Sequence, residues 1–304
     1  TIQNMVFGNA GVTSGSGVGF TRDPATGENS MYIDFLFNAQ GEDVVSGRRT
    51  VRDAVKLQDL MPALYRQLED IKERLEKEYR DMQDFEFTVQ DNHLYMLQTR
   101  IAKRTPLAAV QVAVDLVNEQ LVDSTEAQER LRGIDTGQLK QQRLVPSPGT
   151  VRTGQAVPAS IGVAVGAAAL SAERAIRMAD AGEPVVLVRR DMTTEDIAGL
   201  AVAEGIVSVA GFRTSHAAVV ARQLGKVCLV GCSELDIDDE NKAFTLGDQT
   251  FSEGDYLSLD GQSGAIYAGK QGIEQAEPSR ALQQIRSWEA AQQESVSLNR
   301  DGPL

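Results

Sequence analysis

The sequence predicts a multi-domain α/β protein, with separate blocks of strands and helices followed by a region in which the two alternate. Residues 1–100 combine short β-prone runs and glycine-rich turns with one helical segment from Leu57 to Arg80. From about Gly149 to Gly269, strands and helices alternate as in an α/β domain. With 304 residues, of which 42% are hydrophobic, the chain can bury more than one core.

The first block contains two short β-prone runs and a hairpin. The runs are Met5-Val6-Phe7 and Met31 to Phe37. Asp84 to Val89 and Tyr95 to Arg100 both alternate strictly between polar and apolar residues, which predicts two paired strands. We predict a three-residue loop, Asp91-Asn92-His93, between them.

This register places Glu86 opposite Gln98 and Asp84 opposite Arg100. The other face of the hairpin is then apolar, consisting of Phe85, Phe87, Val89, Tyr95 and Leu97. A carboxylate beside an amide oxygen is a pair of ligands suited to Mg²⁺, and a neighbouring cation can meet phosphate.

A glycine-rich run extends from Gly8 to Gly19, with five glycines. It has neither a Walker lysine nor the G-x-G-x-x-G spacing before a helix, so the sequence does not favour a dinucleotide-binding fold. Flexible turns explain these glycines as well as a nucleotide loop does.

A helical connector is predicted between the two blocks. Pro106 suits a first helical turn, and a second helix begins after Ser124, with Thr125 as the alternative cap. Leu144 to Gly149 is rich in proline and glycine and marks a domain boundary. At the end of the chain, Pro278 to about Ser295 is helical, with its apolar side formed by Leu282, Ile285 and Trp288.

Charge and cysteine content exclude several classes of protein. The net charge of −13 opposes non-specific binding to nucleic acid or to anionic membranes. Cys228 and Cys232 lie in an apolar run and are predicted to be reduced core residues. No apolar run approaches the ~20 residues of a membrane span, and no signal peptide is visible, so a cytoplasmic location is expected.

His216 lies in the run Gly211 to Arg222, which directly follows a predicted strand, Gly205 to Ala210, and small apolar residues follow the histidine. Thr214 or Ser215 can cap the helix that begins there, which places the imidazole in the first turn. The helix dipole favours a neutral imidazole, and free backbone N–H groups can stabilise a phosphate dianion attached to it. Additional donors are Arg213, the two hydroxyls and Arg222. This pattern predicts a nucleophilic phosphoryl carrier.

The run from Thr214 to Arg222 resembles the phosphohistidine motif of pyruvate, phosphate dikinase, and more weakly those of phosphoenolpyruvate synthase and the sugar-phosphotransferase Enzyme I. The resemblance implies that His216 is phosphorylated and that Arg213, Thr214 and Ser215 belong to its site. Dikinases usually carry two glycines before this motif, and here the second is Phe212. That side chain either narrows the approach to His216 or packs beneath it.

Asp81 to Thr88 and Met96 to Arg100 are similar to the nucleotide domain of the same family, which has an ATP-grasp fold. The resemblance implies metal ligation by Glu86 and Gln98, a phosphate contact by Arg100 and a supporting role for Asp84. Asn38 to Gly47 is also similar to that domain. The likeness places two further residues near the nucleotide, Glu42 and Asp34.

The resemblance covers nearly the whole chain and implies four segments. These are the C-terminal lobe of an ATP-grasp domain (1–104), a helical linker (105–147), a swivelling β/β/α phosphohistidine domain (148–270) and a helical connector toward a C-terminal barrel (271–304). The first ATP-grasp lobe and the barrel are expected to be missing, so this fragment should be inactive alone.

For the complete enzyme, the resemblance implies conversion of ATP, pyruvate and phosphate into AMP, phosphoenolpyruvate and diphosphate, with Mg²⁺ as cofactor and a homodimer as the assembly. Two alternatives stay open. One is a non-catalytic or regulatory relative that binds nucleotide or a partner protein. The other is an enzyme similar to phosphoenolpyruvate synthase, in which water replaces phosphate as acceptor.

Overall fold

The structure is a computed structural model that describes residues 5–45, 57–139 and 141–300. For Glu42, Val45, His216, Ala217 and residues 292–300, only the backbone is described. The helices of the described ranges are α1 Gly41–Val45, α2 Leu57–Leu60, α3 Pro62–Tyr79, α4 Pro106–Asn118, α5 Ser124–Arg130, α6 Ala172–Asp180, α7 Ile197–Val202, α8 His216–Leu224 and α9 Arg280–Arg300, with a 3₁₀ turn at Thr194–Asp196.

The strands fall into two larger and two smaller sheets. The first six strands are β1 Gly15–Phe20, β2 Tyr32–Phe37, β3 Gln83–Gln90, β4 His93–Ile101, β5 Gln142–Val145 and β6 Gly154–Gln155. The others are β7 Val157–Ser160, β8 Val163–Ala169, β9 Val185–Arg189, β10 Gly205–Ser208, β11 Val227–Val230, β12 Leu235–Asp238, β13 Ala243–Leu246, β14 Gln249–Ser252, β15 Tyr256–Asp260, β16 Ala265–Ala268 and β17 Gly272–Gln275.

The first lobe, residues 5–101 as described, is an antiparallel sheet in the order β2-β1-β3-β4. Its closed face is the one that packs against α3. There Phe35, Phe85 and Phe87 form a core with Leu64 and Leu68 of the helix. The predicted strand from Met31 and the helix from Leu57 are present, but Met5-Val6-Phe7 is not a strand, and Met5 and Phe7 are exposed.

The glycine run is in part a strand, an arrangement that neither of the two explanations given for the glycines included. Gly15, Gly17 and Gly19 alternate along β1 and lie beneath the aromatic rings of the closed face. A Cβ atom on Gly17 would lie 2.3 Å from the Phe87 ring, and one on Gly19 would lie 2.4 Å from the Phe85 ring. Glycine is therefore required at these positions for close ring packing.

The hairpin has the predicted side-chain pairs but not the predicted loop. Glu86 faces Gln98, and Asp84 faces Arg100. The loop has two residues, Asp91 and Asn92, with φ of 51° and 63°, as expected for a type I′ turn. A bulge then shifts the register by one residue between Glu86 and Phe87, which restores the predicted pairs farther along.

Because of the bulge, the apolar face predicted for the hairpin is only partly correct. Phe85, Phe87 and Val89 are buried as expected, whereas Tyr95 and Leu97 are exposed by 42% and 45%. Tyr95 pairs with Thr88 on the face opposite the core. The bulge removes Leu97 from the alternation, because a bulged residue has no direct partner.

The second lobe, residues 154–268, has three layers built around an eight-stranded mixed sheet, β6-β16-β15-β8-β9-β10-β11-β7. One face packs against the sheet β12-β13-β14 through side chains such as Val186 and Phe244. The other packs against α6, α7 and α8 through side chains such as Leu187 and Ala218. This is the predicted β/β/α arrangement. Cys228 and Cys232 are free and buried in it, as expected.

Two pairs of elements link the lobes. Helix α4 begins at Pro106 as predicted, with Thr105 as its cap, and it packs against α9 through a cluster that includes Leu282 and Ile285. Strand β5 pairs antiparallel with β17. The predicted cap of α5 was wrong by one or two residues, because Asp123 rather than Ser124 or Thr125 accepts the backbone N–H.

A buried cation joins the turn after β1 to helix α3 and to the end of helix α4. Arg22, in the turn after β1, is fully buried and donates to both carboxylate oxygens of Glu76, at 2.9 and 2.8 Å, and to Glu119 at 2.6 Å. A buried guanidinium needs such partners because an unpaired charge is costly in the interior.

Among the described residues, no helix is both long and apolar enough to cross a membrane.

Candidate functional site

The face of the four-stranded sheet opposite α3, here called the open face, carries polar residues in two rows. Directly paired residues of antiparallel strands share a face, so the register gives each row. The first row runs Asp34, Val18, Glu86, Gln98 across β2, β1, β3 and β4. The second row runs Tyr32, Phe20, Asp84, Arg100. Five of the ten predicted site residues thus occupy one surface.

Glu86 and Gln98 lie side by side at the exposed end of the first row. The Gln98 Nε2 atom donates to Glu86 Oε1 at 3.0 Å. Glu86 also borders a cavity of about 330 Å³ whose wall includes Val18, Gly41 and Leu97. Rotation of the Gln98 amide by half a turn would direct both side-chain oxygens to one point.

These two oxygens fit a Mg²⁺ ion that is bound mainly through phosphate and water, because Mg²⁺ commonly uses only one or two protein carboxylates or amides beside its substrate. Within the described ranges, no three His, Cys, Asp or Glu side chains form a cluster that could hold a metal by itself.

Asp84 and Arg100 form an ion pair next to them. The Arg100 Nε atom lies 2.9 Å from Asp84 Oδ2, and the guanidinium is exposed while the carboxylate is buried. Burial raises the pKa of the Asp84 carboxyl, and the bond to Arg100 opposes that shift. Arg100 thus keeps donors free toward solvent, where an anionic ligand can reach them.

The helix α8 begins at the carboxyl end of the parallel strand β10, where ligands bind in α/β sheets. Ser215 is its cap and accepts a bond from Ala218 N at 3.4 Å. His216 is the first helical residue, in agreement with the predicted first turn, and its side chain lies outside the described residues. The backbone places it at the positive end of the helix.

Thr214 does not cap the helix but connects it to the first lobe. Its hydroxyl donates to Asp34 Oδ2 at 2.6 Å, and its backbone N–H reaches the same oxygen at 3.3 Å. Tyr32 donates its hydroxyl to Asp34 Oδ1 at 2.6 Å. Burial raises the pKa of the Asp34 carboxyl, and the bonds from Thr214 and Tyr32 oppose the rise.

Arg213 makes a second link between the lobes. Its Nη1 atom donates to Asp23 Oδ2 at 2.7 Å, and its guanidinium carbon lies 4.8 Å from the centre of the Tyr32 ring. Both charged side chains are less than one-fifth exposed, so the pair is shielded from water. Shielding strengthens a paired charge relative to one at the surface.

Arg222 is buried and points into the protein rather than toward a ligand surface. It donates from Nη1 to the carbonyl oxygens of Ala159 and Arg213, at 3.0 and 2.9 Å, and lies over the Phe20 ring at 5.4 Å. Burial lowers its pKa to about 10. It therefore supports the loop before His216, which differs from the predicted role of an additional phosphate donor.

The predicted residues divide into two neighbouring groups on the open face. Glu86, Gln98, Asp84 and Arg100 form one group, and Asp34 joins Thr214 and Arg213 in the other. Asp34 was expected near the nucleotide, but both of its oxygens accept bonds from Tyr32 and Thr214. Glu42 belongs to α1, and its side chain lies outside the described residues.

Three contributors were missed from the sequence: Asp23, Tyr32 and the packing of Phe212. Phe212 is buried and clusters with residues of the first lobe. The clue to these two residues, Asp23 and Tyr32, was their position, since Asp23 lies in the turn after β1 and Tyr32 begins β2. Their partners lie 190 and 181 residues away, so no local pattern connects them.

Two family models match the two lobes and define the class as an AMP/ATP-binding domain joined to the mobile domain of PEP-utilising enzymes. Residues 1–66 and 51–120 match the family described as the pyruvate phosphate dikinase AMP/ATP-binding domain, and residues 181–264 match the mobile domain of PEP-utilising enzymes. The chain belongs to the pyruvate, phosphate dikinase family.

Individual relatives agree with this assignment. The chain is 48% identical to pyruvate, phosphate dikinase of Clostridium symbiosum over 290 residues, which is 94% of this chain and 33% of the relative. Identity to the chloroplastic pyruvate, phosphate dikinase of Flaveria trinervia is 45%, over 99% of this chain and 32% of the relative. Identity to the Rickettsia conorii protein is 44%, over 94% and 33%. The chain thus spans about a third of the length of these relatives.

Proposed function

We propose that this chain is the phosphoryl-relay segment of a pyruvate, phosphate dikinase, in which His216 receives phosphate at the open face and carries it to a second site. The observation that supports this most is the contact of the α8 N-terminus with the sheet that holds Glu86, Gln98, Asp84 and Arg100. A helix start with free N–H groups is brought to a surface suited to metal and phosphate.

In the proposed reaction, an imidazole nitrogen of His216 attacks the β-phosphorus of ATP. The bond between that phosphorus and the α-phosphate bridging oxygen breaks, and AMP leaves. The diphosphate left on histidine then gives its outer (γ) phosphoryl group to inorganic phosphate, which forms free diphosphate. Pyruvate loses a methyl proton, and its enolate oxygen takes the remaining phosphoryl group from histidine to give phosphoenolpyruvate. The helix dipole keeps the attacking imidazole neutral and stabilises the phosphohistidine dianion.

We assign the supporting roles on the same surface. Arg100 would contact phosphate, Asp84 would orient Arg100, and Glu86 with Gln98 would hold Mg²⁺, which neutralises phosphate charge when bound. Glu42 and Asp34 remain proposed neighbours of the nucleotide, and Ser215 and Thr214 fix the helix start. The four predicted segments, a cytoplasmic location and a homodimer of the complete protein are part of this proposal.

The proposed carrier is tested by labelling with radioactive phosphoenolpyruvate in the presence of a separately produced dikinase barrel domain. We expect acid-labile phosphate on this chain and its loss in His216→Ala. The matched control is His93→Ala, because the sequence has only two histidines and His93 lies exposed in the hairpin turn. Label retained in His216→Ala, or lost in His93→Ala alone, would disprove the assignment.

The alternatives separate in the same system. A well-folded wild-type chain that takes no label would favour a non-catalytic binding relative. With the missing lobe and barrel supplied, ATP-driven turnover that needs no inorganic phosphate would favour chemistry similar to that of phosphoenolpyruvate synthase. Phosphate dependence would support the dikinase reaction.

A further inference from the structure

The loop that precedes the carrier histidine is held by an aromatic side chain. Phe212 lies in the loop between β10 and α8, yet it is only 1% exposed. Gly211 before it has a φ of 116°, which a residue with a side chain rarely adopts. Ser215 N donates to Phe212 O at 3.0 Å and closes a tight turn directly before His216.

The contacts of Phe212 lie on the first lobe. It forms a cluster with Val18 of β1, Leu36 of β2, Ala39 before α1, and Val44 of α1. These four first-lobe residues are here called the Phe212 socket. Phe212 is the one member of this cluster, among the described buried residues, that comes from the second lobe. Each socket residue is at most 5% exposed while Phe212 is in place.

The other links across this interface are polar. The bonds from Thr214 to Asp34 and from Arg213 to Asp23 are replaced by bonds to water when the lobes separate, so their net contribution is modest. Water cannot compensate in this way for an aromatic ring, because separation of the lobes exposes about 150–250 Å² of apolar surface. Phe212 is therefore expected to dominate the affinity of one lobe for the other.

We infer that Phe212 is an anchor that seats the second lobe on the open face and so positions the backbone of His216 beside Glu86 and Gln98. The socket and the cavity at Glu86 share Val18, so the anchored position is adjacent to the proposed nucleotide site. Phe212 is a positioning residue, since it acts through the placement of the loop and touches no reacting atom. The inference of its catalytic relevance rests on the proposed function.

The inference is tested by the distance between the lobes in this chain. Spin labels on Glu69→Cys in α3 and Asp248→Cys in the second lobe suit the measurement, because both positions are exposed and the two native cysteines are buried. Double electron–electron resonance should give one dominant short distance in the parent. Phe212→Ala should shift the equilibrium toward longer distances by on the order of 100-fold.

Two further variants make the result specific. Phe212→Leu should keep most of the short population, since it refills the socket with apolar volume. Leu224→Ala, which truncates an exposed apolar side chain at the other end of α8, should leave the distances unchanged. If Phe212→Ala unfolds, Phe212→Leu and a Phe212→Ser chain examined at low temperature supply the comparison.

The outcomes separate this inference from the proposed function. An unchanged distance distribution in folded Phe212→Ala overturns the anchor, whether or not His216 is phosphorylated. A larger separation in Asp34→Ala than in Phe212→Ala also overturns it, because the polar link would then dominate. Separation in Phe212→Ala together with no phosphate on His216 supports the anchor and removes the proposed carrier.

In the completed enzyme, the anchor predicts an asymmetric loss of activity. Phe212→Ala should reduce labelling of His216 from ATP by on the order of 100-fold and leave labelling from phosphoenolpyruvate within about twofold of the parent. Equal losses in both half-reactions would show a general defect in the carrier and would contradict a docking role.

Discussion

The two faces of the four-stranded sheet come from the same strands but are covered in different ways. On the closed face, Phe35, Phe85 and Phe87 pack against α3, and the phenylalanine rings lie over glycines. On the open face, Asp34 and Asp23 bind Thr214 and Arg213 of the second lobe, while Glu86 and Arg100 are left toward solvent. One face is covered by its neighbour in sequence and the other by residues about 180 positions away.

This difference separates a permanent contact from a reversible one. The closed face is almost wholly apolar, so opening it would expose a core without any compensating bond. The open face uses charge and hydroxyl contacts that water can replace, together with one aromatic side chain. The proposed relay requires the second lobe to leave the sheet and return, and the second kind of surface suits that motion.

The largest expected effect comes from breaking the closed face. Phe87→Ala should lower the free energy of unfolding by about 3–5 kcal/mol, because it removes a buried ring and leaves a cavity. Urea unfolding followed by circular dichroism measures the change. Tyr95→Ala is the control, since Tyr95 is an exposed aromatic residue of the adjacent strand and should change stability by less than about 0.5 kcal/mol. Equal effects would mean that the two faces had been assigned incorrectly.

That control also shows what sequence alone could and could not predict. The alternation of β3 and β4 correctly predicted that Glu86 faces Gln98 and that Asp84 faces Arg100. It placed Tyr95 on the wrong face. The two-residue turn shifts the strand register by one residue, and the bulge at Leu97 shifts it back, so only the pairs beyond the bulge match the prediction. A pattern of alternation detects pairs but not two compensating shifts of register.

The candidate site was predictable where local rules determine it. Ser215 as a cap and His216 in the first helical turn follow from the sequence within a few residues. The bond between Thr214 and Asp34 does not, because tertiary packing decides which surface a helix start meets. Arg222 is a second example of a role that tertiary packing decides. Its position near His216 suggested a phosphate donor, but it is buried and donates to two backbone carbonyls.

The next effect concerns the polar link across the open face. Thr214→Val keeps the shape of the side chain but removes the hydroxyl that donates to the buried Asp34 carboxylate. A bond to a charged group contributes about 1.5–3 kcal/mol, and the lower end applies where water replaces the bond, so separation of the lobes should become easier by roughly 10-fold. The spin-label distance measures this shift. Thr214→Ser retains the hydroxyl and should behave as the parent, and a Ser variant that separates equally would exclude the bond as the cause.

A smaller effect tests the glycine alternation of the closed face. Gly17→Ala should lower stability by about 1–3 kcal/mol, because its Cβ would lie 2.3 Å from the Phe87 ring and the ring must move. Gly41→Ala is the matched control, since a Cβ there meets nothing within 4 Å. Thermal unfolding of both variants gives the comparison. Similar melting temperatures for the two would show that the strand tolerates a side chain beneath the ring.

The smallest effect is the pH dependence that the open face imposes through Asp34. Burial raises the pKa of this carboxyl above its ordinary value, and Thr214, Tyr32 and the nearby Arg213 partly offset the rise. The folded protein therefore binds more protons than the unfolded chain between the two pKa values, so the contribution of Asp34 to stability falls as pH rises through that window. Asp34→Asn cannot titrate there. Asp84, whose pKa is also raised, is present in both proteins and cancels in the difference.

We therefore expect the stability of the parent relative to Asp34→Asn to decrease as pH is raised from about 4 through the folded pKa, and to level off above it. Urea titrations at steps of half a pH unit measure that difference. An increase with pH would mean that the hydrogen bonds from Thr214 and Tyr32 outweigh burial and that Asp34 is held as a stabilised carboxylate. The open face would then be closed by strong hydrogen bonds to the Asp34 carboxylate in addition to the packing of Phe212.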